Sequence, residues 1–86
     1  MNPKLWMATF EPAYPVCEGR LIFVTPEEVQ GDDAWAFANR IVKDYGRPDI
    51  QELDYLGEFI PSVDFLMSAN ESYDGIYIIS IQTGEY

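Results

Sequence analysis

The sequence of 86 residues contains no histidine, a single cysteine, and 5 basic residues against 15 acidic ones, for a net charge of −10. Without histidine, acid–base catalysis near neutral pH would depend on a carboxylate, an amine or a thiol with a strongly shifted pKa. Cys17 has no second cysteine with which to form an internal disulfide, and one thiol without histidine does not make a structural zinc site. We therefore expect a protein that is not an enzyme, with no catalytic residues, no metal site and no cofactor.

Long apolar runs are also missing. Apolar runs such as Ile76 to Ile79 are far shorter than the ~20 residues that span a bilayer. The first twelve residues lack the charged and apolar regions of a signal peptide. A strongly acidic surface repels phosphate backbones and anionic lipids, so we expect no direct binding to nucleic acid or to membranes. The predicted location is the cytoplasm of a cell or of an infected host.

The length predicts one domain over residues 1–86. A domain of this size buries only about 60–65% of the surface of its unfolded chain, which leaves little stability to spare. The sequence has 13 aromatic residues (5 Phe, 6 Tyr and 2 Trp), each of which can cover about 150–250 Å². Aromatic packing or dimer formation is expected to replace the missing cross-links.

Two strands and a helix are predicted in the first half of the chain. Lys4–Glu11 alternates as a strand and is apolar enough to lie inside a sheet, and Arg20–Val24 completes a hairpin. Thr25 to Glu28 has the pattern of a capping box. Asp33–Tyr45 has apolar residues at helical spacing, with Asp32 and Asp33 as N-cap candidates and Gly46 as the C-terminal stop.

The second half is less regular. Asp49–Phe59 could form a short helix, but its alternation favours a strand with Glu52, Asp54 and Glu58 on one face. A closing hairpin is predicted from Val63–Ser68 and Ile76–Thr83, with a turn over Ala69–Gly75 and a second strand buried on both faces. The predicted fold is α+β: a small, mostly antiparallel sheet in the order ββαβββ, with one amphipathic helix packed on one face.

The clearest functional signal is the distribution of charge. Residues 1–47 hold 7 acidic and 5 basic side chains, whereas residues 48–86 hold 8 acidic side chains and no lysine or arginine. We predict that these carboxylates form one coherent patch that binds a protein partner with a basic surface, with a tyrosine contributing as in many protein interfaces. The predicted partner-binding residues are Asp49, Glu52, Asp54, Glu58, Asp64, Glu71, Tyr73 and Asp74.

Carboxylates at two-residue intervals along a strand lie about 6.7 Å apart and resemble the regular charge of a nucleic-acid backbone. The main hypothesis is therefore an inhibitor that mimics nucleic acid and occupies the binding surface of a CRISPR effector, a restriction enzyme or an RNA polymerase. The alternative is a structural or assembly module, a homodimer whose acidic surface only keeps it in solution. A third class, a metal-assisted hydrolase, would use Asp49, Glu52 or Asp54.

The opening Lys4-x-Trp6-x-Ala8-Thr9 and the ββαβ order resemble a small phage inhibitor of bacterial RNA polymerase. The size, acidity and lack of histidine also resemble the inhibitors that phages and mobile elements use against host nucleic-acid machinery. The resemblance covers few residues, so it assigns no functional position.

Overall fold

The computed structural model describes residues 2–12, 18–59, 71–73 and 75–83, and for residues 71–73 it describes the backbone. The elements in chain order are strands β1 (Lys4–Phe10) and β2 (Gly19–Thr25), helix α1 (Gly31–Asp44), and strands β3 (Glu52–Glu58), β4 (Glu71–Tyr73) and β5 (Ile76–Gln82). The predicted α+β class and the order ββαβββ agree with these elements. No helix among the described residues is long and apolar enough to cross a membrane.

The strands form one antiparallel sheet in the order β3-β1-β2-β5-β4. β1 and β2 are the central strands, as the apolar sequence of β1 predicts. The chain leaves β2 through α1 and returns as β3 on the outer side of β1, while β5 adds to the outer side of β2. β3 and β4 therefore lie at opposite edges of the described sheet.

The core lies between α1 and one face of the sheet, which we call the helix face. The alternate residues Trp6, Ala8 and Phe10 of β1 are buried there. The remaining buried members of the same cluster are Leu21, Phe23, Ala34, Ala38, Ile41, Val42, Ile50 and Ile76. The helical spacing of the sequence thus predicts the buried side of α1, except that Tyr45 is exposed because it follows the last helical residue.

The opposite face of the sheet, which we call the open face, carries the other alternate residues of the central strands. Met7 and Thr9 of β1 lie beside Ile22 and Arg20 of β2, because residues paired across antiparallel strands share a face. Met7, Thr9, Ile22 and Arg20 are all half-buried. The open face is therefore mixed in polarity.

The predicted capping residues are wrong, although α1 begins within two residues of the predicted start at Asp33. Thr25 belongs to β2, and its hydroxyl accepts a hydrogen bond from the Trp6 indole at 2.8 Å instead of capping a helix. Gln30 is the N-cap and makes no side-chain capping hydrogen bond. Asp32 and Asp33 lie in the first turn of α1, where their negative charges interact favourably with the positive end of the helix dipole.

The predicted end of the helix is confirmed. Gly46 has a φ of 79°, a left-handed conformation that glycine adopts without steric penalty. The Gly46 amide donates to the Lys43 carbonyl and the Arg47 amide donates to the Val42 carbonyl, both at 2.9 Å. This pair of hydrogen bonds is the Schellman motif, which satisfies two of the last carbonyls of the helix.

Two predictions for the last third of the chain are wrong. The turn-rich segment Ala69–Gly75 contains the short strand β4, which pairs with β5. β5 is not buried on both faces: Ile76 is buried, but Ile79, Ser80 and Gln82 are exposed. α1 packs mainly on β1 and β2, so part of β5 stays in contact with solvent. The predicted strand Val63–Ser68 lies outside the described residues.

Candidate protein-binding edge

β3 is held against β1 by hydrogen bonds at both of its ends. The amide of Gln51 donates to the Thr9 carbonyl, and the amide of Phe59 donates to the Pro3 carbonyl, each at 2.7 Å. The segment between α1 and β3 is fixed by the Asn39 side chain, whose oxygen accepts from the amide of the buried Ile50 at 2.7 Å. The acidic strand is therefore tied firmly to the helix and to the central sheet.

Glu52 and Asp54 share the open face at this edge. Glu52 is opposite Thr9 and Asp54 is opposite Met7, so both carboxylates are on the open face. Two residues along a strand correspond to about 6.7 Å. Glu52 is exposed and Asp54 is half-buried. These two side chains are the part of the predicted patch that the structure brings together.

The sequence predicts that Glu58 continues this row of carboxylates, but the structure places Glu58 on the other face. A β-bulge changes the register between Leu5 and Trp6, so that Gly57 lies opposite Leu5 and Tyr55 lies opposite Trp6. The extra residue, Leu56, reverses which face the following side chains take. Glu58 is consequently opposite Lys4, on the helix face, where it accepts a hydrogen bond from the Asn2 amide at 3.1 Å.

Asp49 is also separate from the pair on β3. Its carboxylate forms an ion pair of 2.8 Å with the Lys43 ammonium near the end of α1. Both side chains are about 60% exposed (61% and 60%), so the pair contributes little to stability, but it supplies the counter-charge that residues 48–86 lack. Asp49 therefore has a local role at the helix end.

The remaining predicted residues do not lie beside Glu52 and Asp54 where the structure describes them. Glu71 and Tyr73 belong to β4, and four strand spacings separate β4 from β3, a distance of about 19 Å. Asp64 and Asp74 lie outside the described residues. The prediction of a single coherent patch is wrong for the described residues, because the sheet topology distributes the charges over both faces and both edges.

Two exposed apolar side chains accompany the carboxylates. Tyr55 is 51% exposed and Leu56 is 48% exposed, although both lie within β3. The Tyr55 ring packs on Trp6 with a centroid distance of 5.1 Å and an interplanar angle of 53°, which limits its motion. Neither residue is among the binding residues predicted from the sequence. Gly57 was the available signal, because a glycine inside a strand pattern indicates a bulge.

This edge combines acidic and apolar side chains. We call the group formed by Glu52, Asp54, Tyr55, Leu56 and Glu58 the β3 edge. It joins carboxylates to exposed apolar groups, and strand β3 contains no basic residue. No group of three or more potential metal ligands occurs among the described residues. Aromatic side chains beside charged ones are typical of protein interfaces.

A second surface feature adjoins Glu52 and Asp54, because two of its lining residues, Thr9 and Met7, are their partners on β1. A cavity of about 250 Å³ is lined by Met7, Thr9, Phe10, Pro12, Glu18, Gly19 and Arg20. Its two charged residues, Glu18 and Arg20, form an ion pair with each other. The cavity is otherwise mostly apolar, so it offers no free charge to a polar ligand.

No protein-family model matches the chain, and comparisons with curated proteins and with solved structures find no significant match. Function is therefore inferred from the residues of this chain and their arrangement.

Proposed function

We propose that this protein is a small acidic binding module that inhibits a nucleic-acid-binding protein by occupying its basic surface. The observation that supports the proposal is the β3 edge, where Glu52 and Asp54 lie on the open face of an edge strand. The exposed Tyr55 lies on the helix face of the same strand, and the exposed Leu56 lies at the bulge. Carboxylates at strand spacing fit cationic groups arranged to bind phosphates. The apolar pair adds contact area that salt does not screen.

The β-bulge reduces the number of carboxylates that can mimic phosphates on one partner surface. Because Glu58 is on the helix face, the charges that face one partner surface are Glu52 and Asp54 and not a longer row. Two carboxylates can occupy the binding sites of two phosphates, but they cannot replace an extended nucleic-acid duplex. The proposal is therefore occupation of a local basic groove, in a target such as a CRISPR effector, a restriction enzyme or an RNA polymerase.

The test is capture of partners from bacterial lysate by the immobilised protein at low and high salt, followed by competition with DNA and with RNA. The charge-reversal variant Glu52→Lys/Asp54→Lys should lose the captured protein, and either DNA or RNA should release it from the parent. The matched control is Glu27→Lys/Glu28→Lys, which makes the same change of charge in the turn before α1 and should bind like the parent.

Retained capture by Glu52→Lys/Asp54→Lys, with its circular dichroism unchanged, would contradict the proposal. Loss of capture in the control alone would indicate that the binding site lies near the N-terminal end of α1. The alternative function, a homodimeric assembly module, predicts a dimer by sedimentation equilibrium at micromolar concentration. A monomer of 9.9 kDa would exclude that alternative.

A further inference from the structure

Within the part of the chain that the structure describes, the outer side of β3 is an unpaired strand edge. Among the described residues β3 pairs only with β1, so its other side presents backbone N–H and C=O groups without strand partners. Such an edge is a template on which another chain can form a strand. The hydrogen bonds at Gln51 and Phe59 hold both ends of β3 against β1, which keeps this template in place.

We propose that the outer side of β3 binds an extended basic segment of the partner, which joins the sheet as an additional strand. This inference rests on the proposed function and gives it a mode of recognition. Backbone hydrogen bonds would supply much of the affinity and the side chains of β3 would supply the selectivity, as in other cases of strand addition.

The faces of β3 specify the sequence pattern of the added strand. Side chains of an added strand share a face with the residues that they oppose. Residues opposite Glu52 and Asp54 would be lysine or arginine, two positions apart on the open face. The residue between them would lie on the helix face, near Leu53 and Tyr55, and would be apolar. The preferred segment is therefore basic–apolar–basic.

The β-bulge limits the length of this pairing. Regular register with β1 extends from Glu52 to Tyr55, after which Leu56 is the additional residue. A bulge bends the strand and interrupts the ladder. We expect the added strand to make its backbone hydrogen bonds along residues 52–55 and to end near Leu56, whose exposed side chain would contact the partner beyond the strand.

A second copy of this chain fits the same edge poorly. β3 carries Glu52, Asp54 and Glu58 and no basic residue, so pairing two copies of it brings six carboxylates together without a counter-charge. Like charges opposite each other across strands are destabilising. The charges that block self-association are therefore the same ones that would attract a basic strand.

The experiment uses three hexapeptide probes, acetylated and amidated, with the ¹⁵N-labelled full chain. The first alternates lysine and valine (KVKVKV), the second has the same sequence with every internal backbone amide N-methylated, and the third has the block order KKKVVV. All three carry the same charge. Titration followed by NMR measures affinity, and amide hydrogen exchange identifies the protected positions.

The alternating peptide should bind and slow exchange at those amides of residues 52–55 that point away from β1. The N-methylated peptide should bind at least about tenfold more weakly, because it cannot donate the backbone hydrogen bonds. The block peptide should also bind more weakly. Equal affinity of the methylated and unmethylated peptides, no binding by the alternating peptide, or protection at another strand would each overturn strand addition.

These outcomes are distinct from failure of the proposed function. If capture of a partner still depends on Glu52 and Asp54 while the methylated peptide binds as well as its parent, charge recognition stands and strand addition is wrong. If capture does not depend on Glu52 and Asp54, the proposed function itself fails.

Discussion

At the scale of single residues, the side chain of Trp6 connects the core to the β3 edge. Its indole N–H donates to the Thr25 hydroxyl in the buried interior, and its ring packs on Tyr55. The Thr25 hydroxyl in turn donates to the Pro26 carbonyl at 3.2 Å. One buried tryptophan thus fixes the end of β2 and also orients the aromatic residue of the candidate site.

The variant Thr25→Val should destabilise the protein by about 1–3 kcal/mol, because it leaves the buried Trp6 N–H without an acceptor. The free energy of unfolding in urea measures the effect. Thr9→Val makes the same chemical change at a half-buried position of the open face and should change stability by less than about 0.5 kcal/mol. Equal effects of the two variants would show that the Trp6–Thr25 hydrogen bond contributes nothing.

At the scale of elements, the bulge in β3 decides which charges act together. Without the additional residue Leu56, Glu58 would follow Glu52 and Asp54 on the open face, as strict alternation predicts. Glycine at position 57 allows the bulge to form, because the φ of Gly57 is 114°, a backbone conformation that is strained for residues with a Cβ. The local conformation of one glycine therefore sets the composition of the candidate site.

Gly57→Ala should destabilise the protein by about 1–3 kcal/mol through backbone strain, although a Cβ would meet nothing within 4 Å. Gly31→Ala is the matched control. Gly31 also has open space around its Cβ position, but it lies at the start of α1 with no strained φ. The control should be neutral or should stabilise the protein by up to about 1 kcal/mol. Urea unfolding measures the free energy of unfolding of both variants. A Gly57→Ala variant as stable as the parent would contradict the expected backbone strain at this position.

At the scale of the whole molecule, the net charge of −10 opposes the compact state. The described ion pairs Lys43–Asp49 and Arg20–Glu18 engage two of the 5 basic residues, and the Lys4 ammonium donates to the Val29 carbonyl at 2.9 Å. Few cations remain to offset the carboxylates of β3 and of the first turn of α1. Repulsion among the surface carboxylates therefore lowers the stability of the folded protein.

Salt should accordingly stabilise the free protein. Between about 0.01 M and about 0.15 M NaCl the screening length falls from about 30 Å to about 8 Å. The Tm should rise by several degrees, since about 1 kcal/mol corresponds to about 4–8 °C for a domain of this size. Glu52→Lys/Asp54→Lys, with a net charge of −10 + 4 = −6, should show a smaller rise. Calorimetry measures both, and a Tm that is independent of salt would contradict the prediction.

Local sequence patterns determine most of the elements. The helical spacing from Ala34 to Val42 predicts α1 and its buried side, and Gly46 predicts its end. The alternation of Glu52 to Tyr55 predicts β3 as a strand. These features follow from the sequence because each depends on residues within a few positions of one another, where periodicity and glycine conformation act directly.

Contacts between distant residues decide the rest. Thr25 matches a helix-capping pattern, yet it is the acceptor for Trp6, which is 19 positions earlier in the chain. The acidic residues of the second half form one run in the sequence, but strand order separates Glu71 from Glu52, and the bulge separates Glu58 from Asp54. The sequence by itself determined the acidity, the helix and the strands β1, β2, β3 and β5 of this protein. Only the tertiary structure decided which carboxylates share a surface, because strand order and register depend on pairings between segments far apart in the chain.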